Sequence, residues 1–368
     1  MKLLIYLISL LFISYSSYSR VDLIPVVKDG ELGYIDKDGE VVIEPQFEIE
    51  LEEKVTGSVE SPIQLFSFPE HVYFSNGLAG YQKSKYFLFI PISTRYGYID
   101  TKGNITIEAR FSGIEPFIDG IAKAKVPVSL FPSEIIVYDQ KEVYIDKNGE
   151  IIIEPEYEFY GNFSDGIAPV MKDGKYGYMN KEEDFVIEPE FDIGYHFSEG
   201  LACVYLNDKF GFIDKNGNLV IDTLYHRAWS FKEGFARIYD GDVFNFIDNK
   251  GDTLLKEGFP YLADFNDGLA LFRENGLYGY INRNGEIAIK PQFERCVSFS
   301  EGLAIAARDD KYGFINKKGD FEIYPDYDHA ERFRNGAALV WKQGKAMYIN
   351  KKGDVIFEFQ NKSDVFRF

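Results

Sequence analysis

The chain has 368 residues, 45% of them hydrophobic and 17% aromatic, and its 59 acidic against 40 basic residues give a formal net charge of −19. This sign is opposite to the basic footprint with which proteins bind nucleic acids or anionic lipid surfaces, so we expect neither as a partner. The 26 Tyr and 33 Phe favour strands, while 33 Gly and 14 Pro supply turns, which predicts many short strands.

The first 19 residues have the features of a secretory signal peptide. An apolar run at residues 3–13 follows a basic residue, and Ser17 and Ser19 stand three and one positions before Arg20, where signal peptidase requires small residues. We therefore expect export to the periplasm, the outer surface or the medium. No Cys follows the run directly, which argues against a bacterial lipid anchor, and no later segment is apolar over the length of a membrane span.

One short unit then recurs nine times. Aligned on the aromatic residue of a Gly-Tyr-Ile-Asp motif, the copies are separated by 64, by 46 and then six times by 34 residues. The aligned aromatic residues are Tyr34, Tyr98, Tyr144, Tyr178, Phe212, Phe246, Tyr280, Phe314 and Tyr348. A fixed period of this length indicates a repeat architecture. We expect one array over residues 20–361, followed by a short tail at residues 362–368.

Each unit predicts a hairpin that begins with the motif strand. Asp or Asn ends the motif in all nine copies, and Gly stands three residues further on in eight, with Glu183 as the exception. This spacing is typical of a type I turn that closes on a glycine bulge. In five copies we expect a Pro to end the second strand, because Pro has no N–H to donate; these are Pro45, Pro155, Pro189, Pro291 and Pro325.

The unit closes with Phe-x-x-Gly-Leu-Ala, from which a third strand leads into the next copy. The sequence therefore predicts an all-β fold of tandem three-stranded antiparallel meanders. An aliphatic face, with Ile145, Ile151 and Ile153 as one example, and an aromatic face are both expected to be covered by neighbouring units. We favour an open superhelix over a closed β-propeller-like ring, because propellers usually have about four to eight four-stranded blades.

These motifs resemble the bacterial WG-repeat family, whose unit reads approximately Trp-Gly-Tyr-Ile-Asp, a turn Gly, Pro-x-Phe/Tyr, then Phe-x-x-Gly-Leu-Ala. The resemblance covers about residues 23–359, with Tyr or Phe where the family has Trp, and with the motif Gly replaced at Val143, Asn245 and Met347. It implies a β-repeat interaction module without catalytic residues.

No catalytic, cofactor or metal-ligand pattern is evident in the sequence, so we expect neither an enzyme nor a bound cofactor. Cys203 and Cys296 occupy different repeat positions, which favours two separate thiols, and the four His lack metal-ligand spacing. The stretch at residues 36–40 resembles a calcium loop, but other copies place Lys or Asn among its ligand positions, so a hairpin turn explains it better.

Acidic residues recur near the end of the second strand in the first five copies, and they leave two interpretations open. They are Glu44, Glu108, Glu154, Glu188 and Asp222, whereas later copies have Lys256, Lys290 and Tyr324 there. The set is either a row of solvated strand ends or a docking strip for a cationic partner.

Three insertions, at residues 48–73, 84–95 and 126–138, break the period in the N-terminal half. Insertions in repeat arrays often lie on the binding face, and the last two lengthen the same hairpin in adjacent repeats. Their apolar tips are the candidate partner surface: Phe87, Leu88, Phe89, Ile90, Val126, Val128, Leu130 and Phe131. The other interpretation is that the tips pack on each other and cap the array.

Together these features predict an exported, monomeric, non-enzymatic scaffold for protein–protein interaction at the cell envelope. The partner protein is not identified by the sequence. The alternative is an array that binds cell-wall carbohydrate through aromatic rings such as Tyr176 and Tyr278.

Overall fold

A computed structural model describes residues 23–58, 61–87, 90–128, 139–157 and 159–359. The predicted signal peptide and the tail at residues 362–368 lie outside these ranges. Regular structure in the described part consists of β-strands and one 3-10 turn, Glu70–Val72. Within the same ranges, no helix has the length and hydrophobicity needed to cross a membrane.

The strands form nine antiparallel groups, which we number as sheets 1 to 9 after the motif that each contains. Sheets 1 and 2 are joined by a single pair between their strands, and β4 and β5 form a separate hairpin within the first insertion. Sheet 1 contains β1 (Ile24–Lys28), β2 (Glu31–Ile35) and β3 (Val41–Glu48), and is followed by the hairpin β4 (Glu52–Ser58) and β5 (Ser61–Ser67). Sheet 2 contains β6 (Leu78–Phe87), β7 (Ile90–Asp100) and β8 (Ile105–Phe111), and sheet 3 contains β9 (Gly113–Ile114), β10 (Ala122–Val128), β11 (Asp139–Ile145) and β12 (Ile151–Ile153). Sheet 4 contains β13 (Phe159–Tyr160), β14 (Ala168–Lys172), β15 (Lys175–Met179) and β16 (Phe185–Phe191).

Sheets 5 to 9 repeat this arrangement at the regular 34-residue period. Sheet 5 contains β17 (Ile193–Ser198), β18 (Leu201–Leu206), β19 (Lys209–Ile213) and β20 (Leu219–Tyr225), and sheet 6 contains β21 (Arg227–Ala228), β22 (Ala236–Tyr239) and β23 (Phe244–Ile247). Sheet 7 contains β24 (Leu269–Glu274), β25 (Leu277–Asn282) and β26 (Ile287–Phe293), and sheet 8 contains β27 (Ala304–Arg308), β28 (Lys311–Ile315) and β29 (Phe321–Tyr327). Sheet 9 contains β30 (His329–Ala330), β31 (Ala337–Lys342), β32 (Lys345–Asn350) and β33 (Val355–Glu358).

Sheet 4 shows the common order, which is β13-β14-β15-β16. The motif strand β15 pairs antiparallel with β14 on one side and with β16 on the other. We call the strand that follows the motif turn the edge strand, because in sheets 3 to 5 and 7 to 9 it lies at the end of its sheet. The predicted all-β array of tandem antiparallel meanders is confirmed, and in several sheets a short fourth strand is added.

The predicted glycine-bulge turn is present in every repeat. In sheet 3, Asp146 Oδ1 accepts hydrogen bonds from the backbone N–H groups of Asn148 and Glu150, both at 2.9 Å. The N–H of Gly149, whose φ is 82°, donates to the Asp146 carbonyl oxygen. The Asx carboxylate or amide therefore caps the turn while Gly supplies the left-handed residue. Glu183 takes the same position in sheet 4, with a φ of 66°.

Four of the five prolines do not end the edge strand, and that expectation is wrong for them. The edge strands β3, β16, β26 and β29 continue through Pro45, Pro189, Pro291 and Pro325. In sheet 4, Tyr178 pairs with Ile187 but Tyr176 pairs with Phe191, so the edge strand has two extra residues there. Such a bulge removes the need for an N–H at the proline. Only β12 ends before its proline, Pro155.

This bulge explains why most copies of the motif have Gly before the aligned aromatic residue. A Cβ added to Gly177 would lie 2.5 Å from the Ile187 carbonyl oxygen, so the edge strand crosses too closely for any side chain. Sheets 3 and 9 have Val143 and Met347 in the equivalent place. In sheet 3 the edge pairing ends at Tyr144 and Ile153, before this position, and in sheet 9 it continues to Met347 and Glu358 without a bulge there. In sheet 6 the side-chain amide of Asn245 hydrogen-bonds the backbone N–H and carbonyl of Leu255 instead.

The aligned aromatic residues form the core, as predicted. Tyr178 is fully buried, its ring contacts that of Phe197 at a centroid distance of 5.0 Å, and its hydroxyl donates to the Tyr195 carbonyl oxygen at 2.8 Å. The same ring pair, at 4.5–5.0 Å, recurs in the first eight repeats: Tyr34–Phe74, Tyr98–Phe117, Tyr144–Phe163, Tyr178–Phe197, Phe212–Phe231, Phe246–Phe265, Tyr280–Phe299 and Phe314–Phe333.

One contact type links neighbouring sheets wherever the turn residue is Gly, which is the case in every sheet except sheet 4. The turn glycine of one sheet packs on the edge strand of the preceding sheet, so that a Cβ on Gly103 would lie 2.8 Å from the side chain of Ile43. The first sheet makes the corresponding contact with the last, because a Cβ on Gly39 would lie 2.4 Å from the Ile356 carbonyl oxygen.

Further contacts between the chain's first and last sheets correct our preference for an open superhelix. Leu339 and Tyr348 share one hydrophobic core with Leu32 and Tyr34. The guanidinium of Arg334 binds both carboxylate oxygens of Glu70, at 3.1 and 3.2 Å. The array is therefore a closed, propeller-like ring, the stated alternative. Closure buries apolar faces that an open array would leave in water.

Candidate functional site

The predicted tip surface is only partly described. Phe87 pairs with Ile90, and Val128 with Asp139, in hairpins that are longer than the regular hairpin of sheet 4. The two insertions therefore do lengthen equivalent hairpins of adjacent sheets. Val126 is half-buried against the core of sheets 2 and 3. Leu88, Phe89, Leu130 and Phe131 lie outside the described residues, as do the side chains of Phe87, Ile90 and Val128, so the tip surface stays a prediction.

The rings proposed for sugar binding are poorly accessible. Tyr176 and Tyr278 are half-buried, and the guanidinium of Arg273 lies 5.2 Å from the centre of the Tyr278 ring. The edge of Tyr261 also contacts that ring, at a centroid distance of 5.8 Å. An aromatic platform for a sugar needs a free ring face, so these contacts favour a structural role.

Edge strands expose aliphatic side chains at the same positions in most sheets. At the first or second position of these strands, ten aliphatic residues are between 42% and 53% exposed, whereas the third residue is buried in every edge strand except β33. The exposed residues are Val41, Val42, Ile105, Ile151, Ile152, Val186, Leu219, Val220, Ile287 and Val355. Repetition of exposed aliphatic residues around a ring is a feature that burial of the core does not explain.

Exposure of Ile151 corrects one expectation. Ile145 and Ile153 are buried, as predicted, but Ile151 is not. The register shifts between Tyr144 and Ile145, and such a bulge twists the strand that follows it, so the first aliphatic residue after the turn faces solvent. Alternating hydrophobicity alone does not reveal this displacement, although the Asx-x-x-Gly spacing is its sequence signal.

Sheets 3 and 4 differ from the rest in their acidic edge strands. Every second residue in or beside β12 and β16 is exposed, and both strands present the order acid, aliphatic, acid, acid. We call these eight residues the acidic edge: Glu150, Ile152, Glu154, Glu156, Asp184, Val186, Glu188 and Glu190. Other repeats have acids at some of these positions, such as Asp320, Glu322 and Asp326 in sheet 8, but the order acid, aliphatic, acid, acid occurs only in sheets 3 and 4.

A shallow cleft of about 410 Å³ lies between the segment after β12 and the motif turn of sheet 4, lined by Glu154, Glu156, Tyr157, Lys172 and Glu183. The ring of Tyr157 contacts that of Phe185 in β16 at 5.5 Å. Burial, with the nearby charges of Glu183 and Glu156, raises the pKa of the Tyr157 hydroxyl. Lys141 forms an ion pair with Glu154 at 2.7 Å. The cleft is therefore an acidic surface with an aromatic wall.

A second cleft, of about 300 Å³, lies in sheet 3 and contains charges of both signs. Lys123 lies 3.4 Å from Glu115, and Lys125 lies 3.4 Å from Glu142. Because these lysines and carboxylates pair with one another, the second cleft has less charge to offer a partner than the first.

Burial keeps both thiols and the imidazole of His71 uncharged at neutral pH. Burial raises the pKa of the Cys203 thiol far above its ordinary range and that of Cys296 to about 12, so both stay protonated and unreactive. Burial lowers the pKa of His71 to about 4. Among the described residues, no group of three or more His, Cys, Asp or Glu side chains is placed to hold a metal ion.

Solved structures similar to this chain indicate its fold. A crystal structure of a eukaryotic initiation factor has a TM-score of 0.50 at 8% identity, covering 84% of this chain and 96% of that one. Hsv2 of Kluyveromyces lactis has a TM-score of 0.33 at 9% identity, with coverages of 52% and 73%. A Bacteroides caccae protein of unknown function has a TM-score of 0.23 at 16% identity, with coverages of 52% and 91%. The structural similarity to the initiation factor, the highest of these three TM-scores, agrees with a propeller-like fold.

No curated protein is similar to the chain at a significant level. The family model for the WG containing repeat, however, matches eight times. The matched segments are residues 33–48, 96–126, 144–176, 176–210, 210–243, 246–278, 278–312 and 312–345. These segments cover more than half of the chain, and from residue 144 on each extends from the motif strand of one sheet to that of the next. The family is a repeat scaffold and not a known enzyme family. The chain is an all-β repeat protein and belongs to the WG containing repeat family.

Proposed function

We propose that this protein is a non-enzymatic scaffold that binds other proteins at the cell envelope through its edge strands. The exposed aliphatic residues of the edge strands carry this proposal, because they recur at the same two structural positions in most sheets, whereas most other aliphatic residues of the repeat are buried. A ring of similar sheets offers many such strands at once, which suits a scaffold.

Placement at the envelope rests on the signal-peptide pattern in the first 19 residues. Its test is fractionation of cells that produce the full chain. We expect the protein in the periplasmic, surface or extracellular fraction with a new N-terminus at Arg20. Retention of the full-length chain in the cytoplasm would contradict export.

Photo-crosslinking in intact cells tests the use of the edge strands. A benzophenone amino acid is placed at Val186 in β16, at Leu219 in β20 and, as a control, at Asn216, an exposed turn residue just before β20. We expect the first two sites to trap a defined protein and the control site not to do so. Absence of adducts from both edge strands, or the same adducts from Asn216, would contradict the proposal.

A carbohydrate-binding role has less support, because the motif rings are buried and the next rings are half-buried. Saturable binding of a cell-wall glycan that is lost in Tyr176→Ala and Tyr278→Ala would favour it over the protein scaffold.

A further inference from the structure

We infer that the acidic edge binds a basic, extended segment of a partner protein, which adds as a further strand to β16. This inference rests on the proposed function and specifies the class of partner. It uses the outer side of sheet 4, where β16 is the last strand in the order β13-β14-β15-β16.

The geometry of β16 suits strand addition. Its seven residues pair on one side with β15, through Tyr178 opposite Ile187 and Tyr176 opposite Phe191. On a strand at the end of a sheet, backbone N–H and C=O groups point away from the sheet and are available for pairing with another chain. Val186 is 43% exposed beside them and supplies an apolar contact for one side chain of an added strand.

The charges define the chemistry of that segment. Asp184, Glu188 and Glu190 alternate with inward-facing residues along β16 and are all exposed. Residues two apart on a regular strand are about 6.5–7 Å apart on one face, so a partner strand with basic residues at every second position places cations opposite Asp184 and Glu188, with the intervening side chain beside Val186, before the bulge between Ile187 and Phe191 interrupts the spacing. Glu156 and Glu183, which line the neighbouring cleft, add negative potential near β16, whereas Glu154 is paired with Lys141.

The same charges disfavour the other occupants of an exposed edge. A second copy of this chain that paired β16 with β16 would bring carboxylates opposite carboxylates, which is destabilising. Phosphate-bearing partners carry the wrong sign. The carboxylates that repel a second copy and phosphate-bearing partners attract a basic segment. This difference in affinity makes the edge strand specific for a basic partner.

The test uses a fluorescent peptide of eight residues, alternating Lys and Val, and the full-length protein in fluorescence anisotropy at low and at high salt. A second peptide replaces two of the Val residues by Pro and keeps the charge. We expect saturable binding that weakens with salt, and binding at least about tenfold weaker for the Pro peptide, because Pro removes backbone donors. Equal binding of the two peptides would show that charge alone attracts them and would overturn strand addition.

Protein variants locate the site. We expect Glu154→Lys with Glu188→Lys to weaken the Lys-Val peptide by at least about tenfold. The matched control is Glu286→Lys with Glu322→Lys on sheets 7 and 8, which changes net charge equally and should weaken binding by less than about threefold. Melting temperatures of both variants confirm that the ring is intact. Equal losses in the two variants, or no binding to the natural protein, would overturn the site.

These outcomes separate the inference from the function on which it rests. If Val186 traps a protein in cells but the Lys-Val peptide does not bind, the scaffold proposal stands and the basic extended segment is wrong. A concentration-dependent dimer in light scattering that competes with the peptide would assign β16 to a second copy of the chain.

Discussion

Asn335 donates a hydrogen bond from its side-chain amide to the backbone carbonyl oxygen of Leu23 at 2.9 Å, although 312 residues separate the two. Asn335 is 7% exposed, and its own N–H donates to Glu301 in the preceding repeat. The turn that links successive repeats therefore also fastens the last part of the ring to the first. This contact gives a direct way to measure how much closure contributes to stability.

We predict that Asn335→Gly lowers the free energy of unfolding by about 1–3 kcal/mol, because the Leu23 carbonyl loses its buried donor. Gly is chosen because the φ of Asn335 is 56°, which Gly adopts without strain. Urea unfolding at neutral pH measures the change. Asn335→Ala should cost about 1 kcal/mol more, since it adds the strain of a left-handed residue. A change below about 0.3 kcal/mol in the Gly variant would show that the contact is unimportant.

Gly177→Ala should destabilise the protein by about 3 kcal/mol, because the added Cβ would meet the Ile187 carbonyl oxygen at 2.5 Å and force the bulge apart. Val143→Ala is the comparison, because sheet 3 already has a side chain at the equivalent position. That change removes two methyl groups from a buried residue and should cost about 1–2 kcal/mol. A smaller cost for Gly177→Ala than for Val143→Ala would contradict this explanation of the motif glycine.

Replacement of Glu183 by Gly should stabilise sheet 4. Glu183 is held at a φ of 66°, where a residue with a Cβ is strained and eight other repeats have Gly. After the entropy of the more flexible unfolded chain is subtracted, we expect a gain of about 0.5–1 kcal/mol in urea unfolding. Gly149→Ala, the reverse change in sheet 3, should lower stability. A loss of stability in Glu183→Gly would mean that the Glu183 side chain makes a favourable contact in the cleft.

Lowering the pH should reduce the free energy of unfolding, partly through protonation of His71. Burial lowers its folded pKa to about 4, below an unfolded value near 6.5, so the neutral imidazole is favoured by the fold. This contribution is fully present above pH 6.5 and is lost as the pH falls towards 4. The free energy of unfolding that is lost through this group between pH 7 and pH 5 is about 2 kcal/mol. We expect His71→Gln to lose less stability than the natural protein over this interval, and equal losses would contradict the assignment.

Shortening both long hairpins to the regular length tests the predicted tip surface. If the tips are a binding site, the shortened protein keeps its melting temperature and loses partners in pulldowns from the envelope. If they form a cap, the melting temperature falls and binding falls only with it. Recovery of the same partners by a shortened, fully folded protein would rule out the tips as the site.

The sequence predicted local features whose cause is local. Asp146 and Gly149 illustrate this, because their spacing alone requires the observed capped turn. Pro189 shows the limit, since its effect depends on whether the opposite strand has a Gly that allows a bulge. The pairing of Gly177 with that bulge is visible only after the register is known.

The sequence does not reveal closure of the ring or the acidic edge, and the physical reasons differ. Contact between Asn335 and Leu23 depends on the angle between successive sheets summed over nine repeats, which no single motif encodes. The acids of β12 and β16 were visible as a row that included Glu154 and Glu188, but their alternation with Ile152 and Val186 on one exposed face depends on the register set by the glycine bulge.

Closure of the ring underlies every surface described above, and a disulfide tests it most directly. A Cβ placed on Gly336 would lie 3.5 Å from the Cβ of Lys37, a separation that a disulfide accepts, and the bond must also hold a Cys at the left-handed φ of 82° found at Gly336. We predict that Lys37→Cys with Gly336→Cys oxidises readily to an intramolecular bond, seen as faster migration on a non-reducing denaturing gel that reduction reverses. Each single-Cys variant should show no such shift. A double variant that stays reduced under oxidant, while remaining folded, would contradict the closed ring.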